Sequence, residues 1–285
     1  MTLKLRPGAP DDAGATGRIC YDAFASIAAA HSFPCDFPSA EVAQLLLGVL
    51  LANPGIYSVV AEVDGRVAGS NFLDERCPIA GVGPITVDPS VQDHSIGKHL
   101  MEDVMRRAEA QRFPGVRLVQ AGYHNRSFAL YTKLGFDVRE QLACLQGPPI
   151  RATVPGYAVR QATTGDLEPC NTLCEAVHGH HRGGELADCI AQGTARVVEH
   201  DGRISGYASD LAFFAHAVGE SNEDVTALIG AADAYAGSGI LVPTRNGALL
   251  RWCMENGLRV VQLMTLMTTG LYSEPAGSWL PSILF

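Results

Sequence analysis

The sequence predicts an α/β protein that uses one fold twice, and three observations carry that prediction. Helix-like and strand-like apolar spacings alternate along the chain. An Asp-Gly hairpin signal between two β-rich runs occurs in each half. Three short patterns of the first half also return, in the same order, in the second. Arg6 and Asp12 reappear as Arg160 and Asp166, and Glu62-Val63-Asp64-Gly65-Arg66-Val67 as Glu199-His200-Asp201-Gly202-Arg203-Ile204. Lys133-Leu134-Gly135-Phe136 is echoed by Glu255-Asn256-Gly257-Leu258, again after a helix.

The elements follow in order. Leu3 and Leu5 alternate with polar neighbours, as in a strand, and Asp11-Asp12 after Pro10 opens a helix with Ile19, Ala23 and Ile27 on its buried face. Ser39 caps a second helix that Asn53-Pro54-Gly55 ends. Tyr57 to Val63 and Arg66 to Leu73 are strands joined by Asp64-Gly65, because both central residues of a two-residue hairpin need positive φ. A strand ends at Ile85-Thr86-Val87, and a helix from about Ser95 to Arg112 buries Ile96, Leu100, Val104 and Ala108. Val116 to Ala121 is a strand, Ser127 to Leu134 a short helix, and Phe136 to Leu145 extended. Gly147-Pro148-Pro149 and Val154-Pro155-Gly156 flank a stretch without periodicity. The expected division is a first domain over 1–147, a linker over 148–158 and a second domain over 159–285.

Composition narrows the function. At 285 residues, 47% apolar and 18% charged, the chain can bury one large core or two ordinary ones. Its formal charge is −9, and no Lys/Arg run is interleaved with aromatics, so nucleic acid is not the expected partner. Neither a signal peptide nor an apolar run of bilayer length is visible, so a soluble, cytoplasmic protein with no membrane partner is expected. Eight cysteines lie in apolar stretches without zinc-site spacing and read as reduced thiols. His178-Gly179-His180-His181 has no fixed carboxylate or cysteine partner and reads as a solvated loop, with Arg182 and Glu185 placed to pair on a helix. No metal is expected.

The chemistry concentrates in the first half. Val87-Asp88-Pro89 leads through Gln92-Asp93-His94-Ser95-Ile96-Gly97-Lys98 into a long helix, presenting unpaired N–H groups at a helix N-terminus where an anion such as a pyrophosphate can bind. Gly97 permits close approach and Lys98 adds positive charge. Together with Arg126-Ser127-Phe128-Ala129-Leu130-Tyr131-Thr132-Lys133-Leu134-Gly135-Phe136, this resembles the GNAT superfamily of N-acetyltransferases. The pyrophosphate loop of that superfamily reads Gln/Arg-x-x-Gly-x-Gly/Ala after a strand, and its later helix ends Leu-Tyr-x-Lys-Leu-Gly-Phe. The match is Gln92-x-x-Ser95-x-Gly97 and Leu130-Tyr131-x-Lys133-Leu134-Gly135-Phe136, and the resemblance covers residues 3 to 145.

The resemblance implies two tandem GNAT-like domains, each a mixed, mostly antiparallel twisted sheet flanked by helices. It implies an acyl-CoA-dependent N-acyltransferase, with acetyl-CoA or another short acyl-CoA as donor and an amine of a small molecule or peptide as acceptor. Pantetheine would lie along Ile85, Thr86 and Val87, and Gln92 to Lys98 would hold the pyrophosphate. Tyr131 would protonate the departing thiolate, His124 would be the second catalytic residue, relaying a proton or bonding the pantetheine arm, and Asn125 and Ser127 would lie near the cofactor. Two departures stand out: Ser95 replaces a glycine, and His124 falls where the family has Asn, which is displaced to Asn125. The general base stays open among Asp74, Glu75, His31, His124 and an ordered water.

In the second half the matching loop is Val218 to Asp224, whose three carboxylates suit a helix start and repel phosphate. The spacing that carries Gly135 to Gly257 carries Tyr131 to Cys253. The second copy is therefore expected to bind no CoA and to support the first domain, cover its acceptor cleft or mediate homodimerisation. A non-catalytic acyl-CoA-binding regulator and an acyl-CoA decarboxylase are the alternative readings.

Overall fold

The computed structural model describes residues 2–92 and 94–284. The first half runs β1 (Leu3–Pro7), α1 (Ala13–Ala30), α2 (Ala40–Ala52), β2 (Ile56–Val63), β3 (Arg66–Asp74), β4 (Ala80–Val82), β5 (Thr86–Val87), α3 (Ile96–Ala110), β6 (Gly115–Ala121), α4 (Asn125–Lys133) and β7 (Asp137–Gln146). The second repeats the order with β8 (Tyr157–Gln161), α5 (Leu167–His178), α6 (Gly183–Gln192), β9 (Arg196–His200), β10 (Arg203–Ala208), β11 (Ala217–Gly219), α7 (Asn222–Ala231), β12 (Ile240–Pro243), α8 (Gly247–Glu255) and β13 (Arg259–Gly270). A last strand, β14 (Ser278–Leu280), follows.

The sequence echoes are structural duplicates. Arg6 pairs with Asp12 at 2.7 Å and Glu62 at 2.7 Å, and Arg160 pairs with Asp166 at 2.7 Å and Glu199 at 2.8 Å. In both halves one guanidinium ties the first strand to the second strand and to the turn before the first helix, using its fork of donors. The hairpins match as well: Asp64 and Gly65 have φ of 49° and 80°, Asp201 and Gly202 of 50° and 75°, the signs a type I′ turn requires.

Alternation along β3 sends Leu73 to a core shared with Ile96, Leu100, Val104 and Ala108 of α3, and Phe72 to a core with Cys20 of α1 and Ala43, Leu47 and Leu50 of α2. The sheet is thus covered by helices on both faces.

The sheets do not follow the division of the chain. One has the order β1-β2-β3-β4-β6-β13-β7-β12, with β5 pairing only β3 off this path; the other is β14-β11-β10-β9-β8. β13 of the second half lies between β6 and β7 of the first, antiparallel to both, with Leu266 opposite Val119 on one side and Leu263 opposite Ala143 on the other. β12 then pairs β7 on its outer edge, with Leu241 opposite Cys144. Each half thus gives its last long strand to the other, and the four central strands form a pseudo-twofold layer that belongs to both.

The histidine group is not solvated. His178 and His180 are buried at the corner between α5 and α6, because His178 packs edge-on against the Trp279 ring at 5.3 Å. Arg182 pairs with Glu185 at 2.5 Å, as its spacing predicts. Glu185 in turn meets His216 Nδ1 at 2.9 Å, and His216 Nε2 meets the Tyr207 hydroxyl at 3.0 Å. Among the described residues no group of three or more His, Cys, Asp or Glu is arranged to hold a metal, and no helix is long and apolar enough to cross a membrane.

Two expectations follow. Residues 1–147 expressed alone lack β13 and expose the facing edges of β6 and β7, so they should aggregate, and co-expression with 148–285 should restore a soluble complex. A monomeric, cooperatively melting 1–147 fragment would overturn this. Burial also pushes the pKa values of His178, His180 and His216 below 6.5, to about 3 for His180. Below pH 6.5 the unfolded chain binds protons the folded one refuses, so stability present above pH 6.5 is lost as pH falls toward 3. The melting temperature should drop steadily across this window, and a flat profile would contradict the burial argument.

Candidate active site

The site begins where β4 and β6 part. They pair in parallel only at Ala80 with Val116 and Gly81 with Arg117. The chain of β4 then passes a cis Gly83-Pro84 bond and resumes as β5, whose Thr86 and Val87 pair Ser70 and Gly69 of β3 alone. Ile85 to Val87 thus face Leu118 to Ala121 across a gap that no strand of the described residues fills. Unpaired strand edges are a template for an extended partner with alternating donors and acceptors.

The end of this gap meets the start of α3. Gln92 donates its Nε2 to the Val87 carbonyl at 3.2 Å, tying loop to strand, while Asp88 accepts from the Ser90 amide at 2.8 Å. His94 Nδ1 lies 3.0 Å from the Gln92 carbonyl, and Asp93 lies outside the described residues. Ser95 is the N-cap of α3, with φ 61° and ψ 13°, and its side chain caps nothing. That left-handed conformation is the physical reason a glycine suits the position, since a Cβ there costs about 1–2 kcal/mol. The first-turn N–H groups of α3 stay directed at the loop, beside Gly97, where an added Cβ would find only Val87 Cγ2 at 3.8 Å and Leu130 Cδ2 at 3.9 Å. Ile96 is buried in the core, and Lys98 is exposed and 3.5 Å from Glu102.

Across the gap, α4 carries Tyr131. Its ring is buried in the α3-side core near Phe136, 6.2 Å between centroids. Burial pushes the phenol up to about 12, and a hydrogen bond from Ser127 pulls the other way. It stays protonated throughout the neutral range. His124 has a structural post: its Nδ1 accepts the Ser127 amide at 3.0 Å as the N-cap of α4, which requires the neutral ring, and burial lowers its pKa. Asp74 and Glu75 are held by arginines, Asp74 by Arg76 at 2.9 Å and Glu75 by Arg107 at 2.6 and 2.8 Å.

Beyond β6 lies a cavity of about 540 Å³ lined by Phe33, Tyr123, Asn125, Phe128, Gln141, Gln262 and Leu263 among others, none charged. Tyr123 stacks on Phe33 at 4.4 Å. Asp36 sits behind this wall, accepting from Gln262 Nε2 at 3.0 Å and Ser238 Oγ at 3.2 Å. Burial raises its pKa above the ordinary carboxylate value, and its charge helps push Tyr123, already raised by burial, up to about 12. Sequence reading passes over Asp36, because both of its partners lie more than two hundred residues away in the other half.

Residues 25–136 match the Acetyltransferase (GNAT) family. The match takes in most of the first half of the chain. No curated protein matches it. Among solved structures it is similar to a presumed acetyltransferase from Pyrococcus horikoshii, with TM-score 0.74 and 16% identity over 97% of this chain and 91% of that one. It is also similar to a GCN5-related N-acetyltransferase from Sphaerobacter thermophilus, with TM-score 0.62 and 15% identity over 95% and 96% of the two chains. A tandem GNAT protein from the clavulanic acid biosynthesis pathway gives TM-score 0.57 and 15% identity over 94% and 98%. At these identities the likeness is one of fold, and the fold is the tandem GNAT arrangement.

The second GNAT copy has a different loop. Ser221 caps α7 and accepts from the Asp224 amide, while Asp224 accepts from the Ser221 amide at 2.9 Å and from Ser205 Oγ at 2.5 Å. This reciprocal capping box satisfies internally the first-turn amide of Asp224, where α3 has no side-chain cap. Cys253, at the place of Tyr131, is buried in the core under α8.

The Ser95 geometry makes a direct test. Ser95→Gly should stabilise the protein by about 0.5–1 kcal/mol by relieving the left-handed residue. Denaturant titration would show it as a higher midpoint with unchanged slope, and a lower midpoint would mean that the serine side chain contributes more than its backbone costs.

Proposed function

We propose that this chain transfers an acyl group, acetyl in the first instance, from an acyl-CoA to an amine, using one site per chain in its first half. The observation that carries the proposal is the gap between Ile85–Val87 and Leu118–Ala121, open along its strand edges and closed at one end by the uncapped α3 N-terminus. An extended amide-bearing arm terminating in a pyrophosphate has the hydrogen-bonding pattern and charge for this gap. Gln92 to Lys98 would receive the pyrophosphate, Asp93 included. Asn125 would line the acceptor side and Ser127 would orient Tyr131.

The donor supplies an activated thioester; the chain must keep the amine neutral and return a proton to sulfur. Tyr131, protonated at neutral pH and buried, suits the acid role. Asp36, half-buried behind the cavity with a raised pKa, suits acceptance of the amine proton through a water. His124 serves as the cap of α4 in this scheme, its Nδ1 accepting the Ser127 amide, and relays no proton.

Tyr131→Phe should lower kcat about 100-fold with the KM for acetyl-CoA unchanged. Asp36→Asn should lower kcat and remove an acid limb of the pH profile lying above 3.8, the ordinary carboxylate value. A screen of amine acceptors that follows thiol release from acetyl-CoA measures both. Stoichiometric CoA binding without turnover of any amine would replace the transferase reading by a regulatory one, and release of carbon dioxide from malonyl-CoA would replace it by decarboxylation.

A further inference from the structure

In the second half, the edge that corresponds to the open gap is occupied. In the first half Gly69 and Ser70 of β3 pair with Val87 and Thr86. The hairpin echo that carries Asp64 to Asp201 carries Gly69 and Ser70 to Gly206 and Tyr207, and these pair with Gly219 and Val218 of β11. Ala217 to Gly219 are therefore the counterparts of Ile85 to Val87. On their other edge lies β14, antiparallel, with Ala217 opposite Leu280, Val218 opposite Trp279 and Gly219 opposite Ser278.

From this register we infer that the second GNAT copy has become a peptide-binding slot, filled in cis by the C-terminal strand of the chain itself. The strand lies where the first copy keeps its gap open, and three features show that the slot is built for it. Ser278, Trp279 and Leu280 are all buried. Gly277 seats flush on β11: a Cβ there would come within 2.4 Å of the Gly219 carbonyl oxygen, a backbone atom that cannot move aside. Trp279 enters the core with Met264 and Leu266 of β13, its ring edge-on to His178, and Leu280 enters the core under α7 with Val225 and Leu228. Past the strand, Ile283 donates its amide to the Phe213 carbonyl at 2.9 Å, and Leu284 reaches the α1–α2 core of the first half. One segment thus fills the slot and ties the halves together, and beside it α7 starts with the Ser221–Asp224 capping box where α3 has no side-chain cap.

The test uses the full-length folded protein with a protease recognition sequence inserted after Glu274, whose side chain is exposed. After cleavage the fragment from Pro275 onward should remain bound through gel filtration. It should exchange with an excess of a labelled peptide carrying residues 275–284, and neither CoA nor pantetheine should displace it. The same peptide with Gly277→Val should bind at least about 10-fold more weakly. Loss of the fragment on cleavage with no change in melting temperature would overturn the inference, and so would its displacement by CoA. CoA titration of the cut protein separates this result from the transferase reading: one equivalent bound in the first half is compatible with either outcome at β14, and none bound bears on the first half alone.

Discussion

The antiparallel insertion of β13 between β6 and β7 is the constraint on which the rest of the structure depends. A strand at the centre of a sheet gains hydrogen bonds on both edges and side-chain contacts on both faces, so its removal exposes two edges at once. Because each half lends its last long strand to the other, neither has a complete sheet of its own. The shared layer also fixes the distance between the halves to within a strand spacing, and this lets Gln262 and Ser238 of the second half reach Asp36 of the first.

Much of this was legible from local pattern. The Arg6/Asp12 and Arg160/Asp166 pairs announced the repeat, and the structure shows why they persist: one guanidinium fork joins two strands and a helix start in each half. The Asp-Gly turns, the helix spans and the Gln92-to-Gly97 loop were readable because each depends on residues a few positions apart. The exchange of strands was not readable. β13 carries the same apolar alternation whichever sheet receives it, and register between distant strands leaves no local mark. His178 and His180 misled for the same reason, since the tryptophan that buries His178 lies about a hundred residues further on.

Within the site, legibility divides along the same line. Ser95 drew attention as a departure, and its left-handed backbone explains the position. His124 drew attention as an ionisable group near the cleft, but its ring nitrogen is spent on a backbone amide. An N-cap is a local role that Asn fills equally well, through the same acceptor geometry. Asp36, by contrast, could be found only from the assembled fold.

The contrast between the halves follows from how each manages one strand edge. An open strand edge is a liability in any sheet, and there are two ways to manage it: fill it with a ligand or fill it with chain. The first half leaves the edge at Ile85–Val87 open beside an uncapped helix. The second closes it with β14 and caps the helix with Ser221 and Asp224. With that edge closed by β14, the second half also carries β13 into the first sheet. The open edge of the first half is thus set against a shut one in the second.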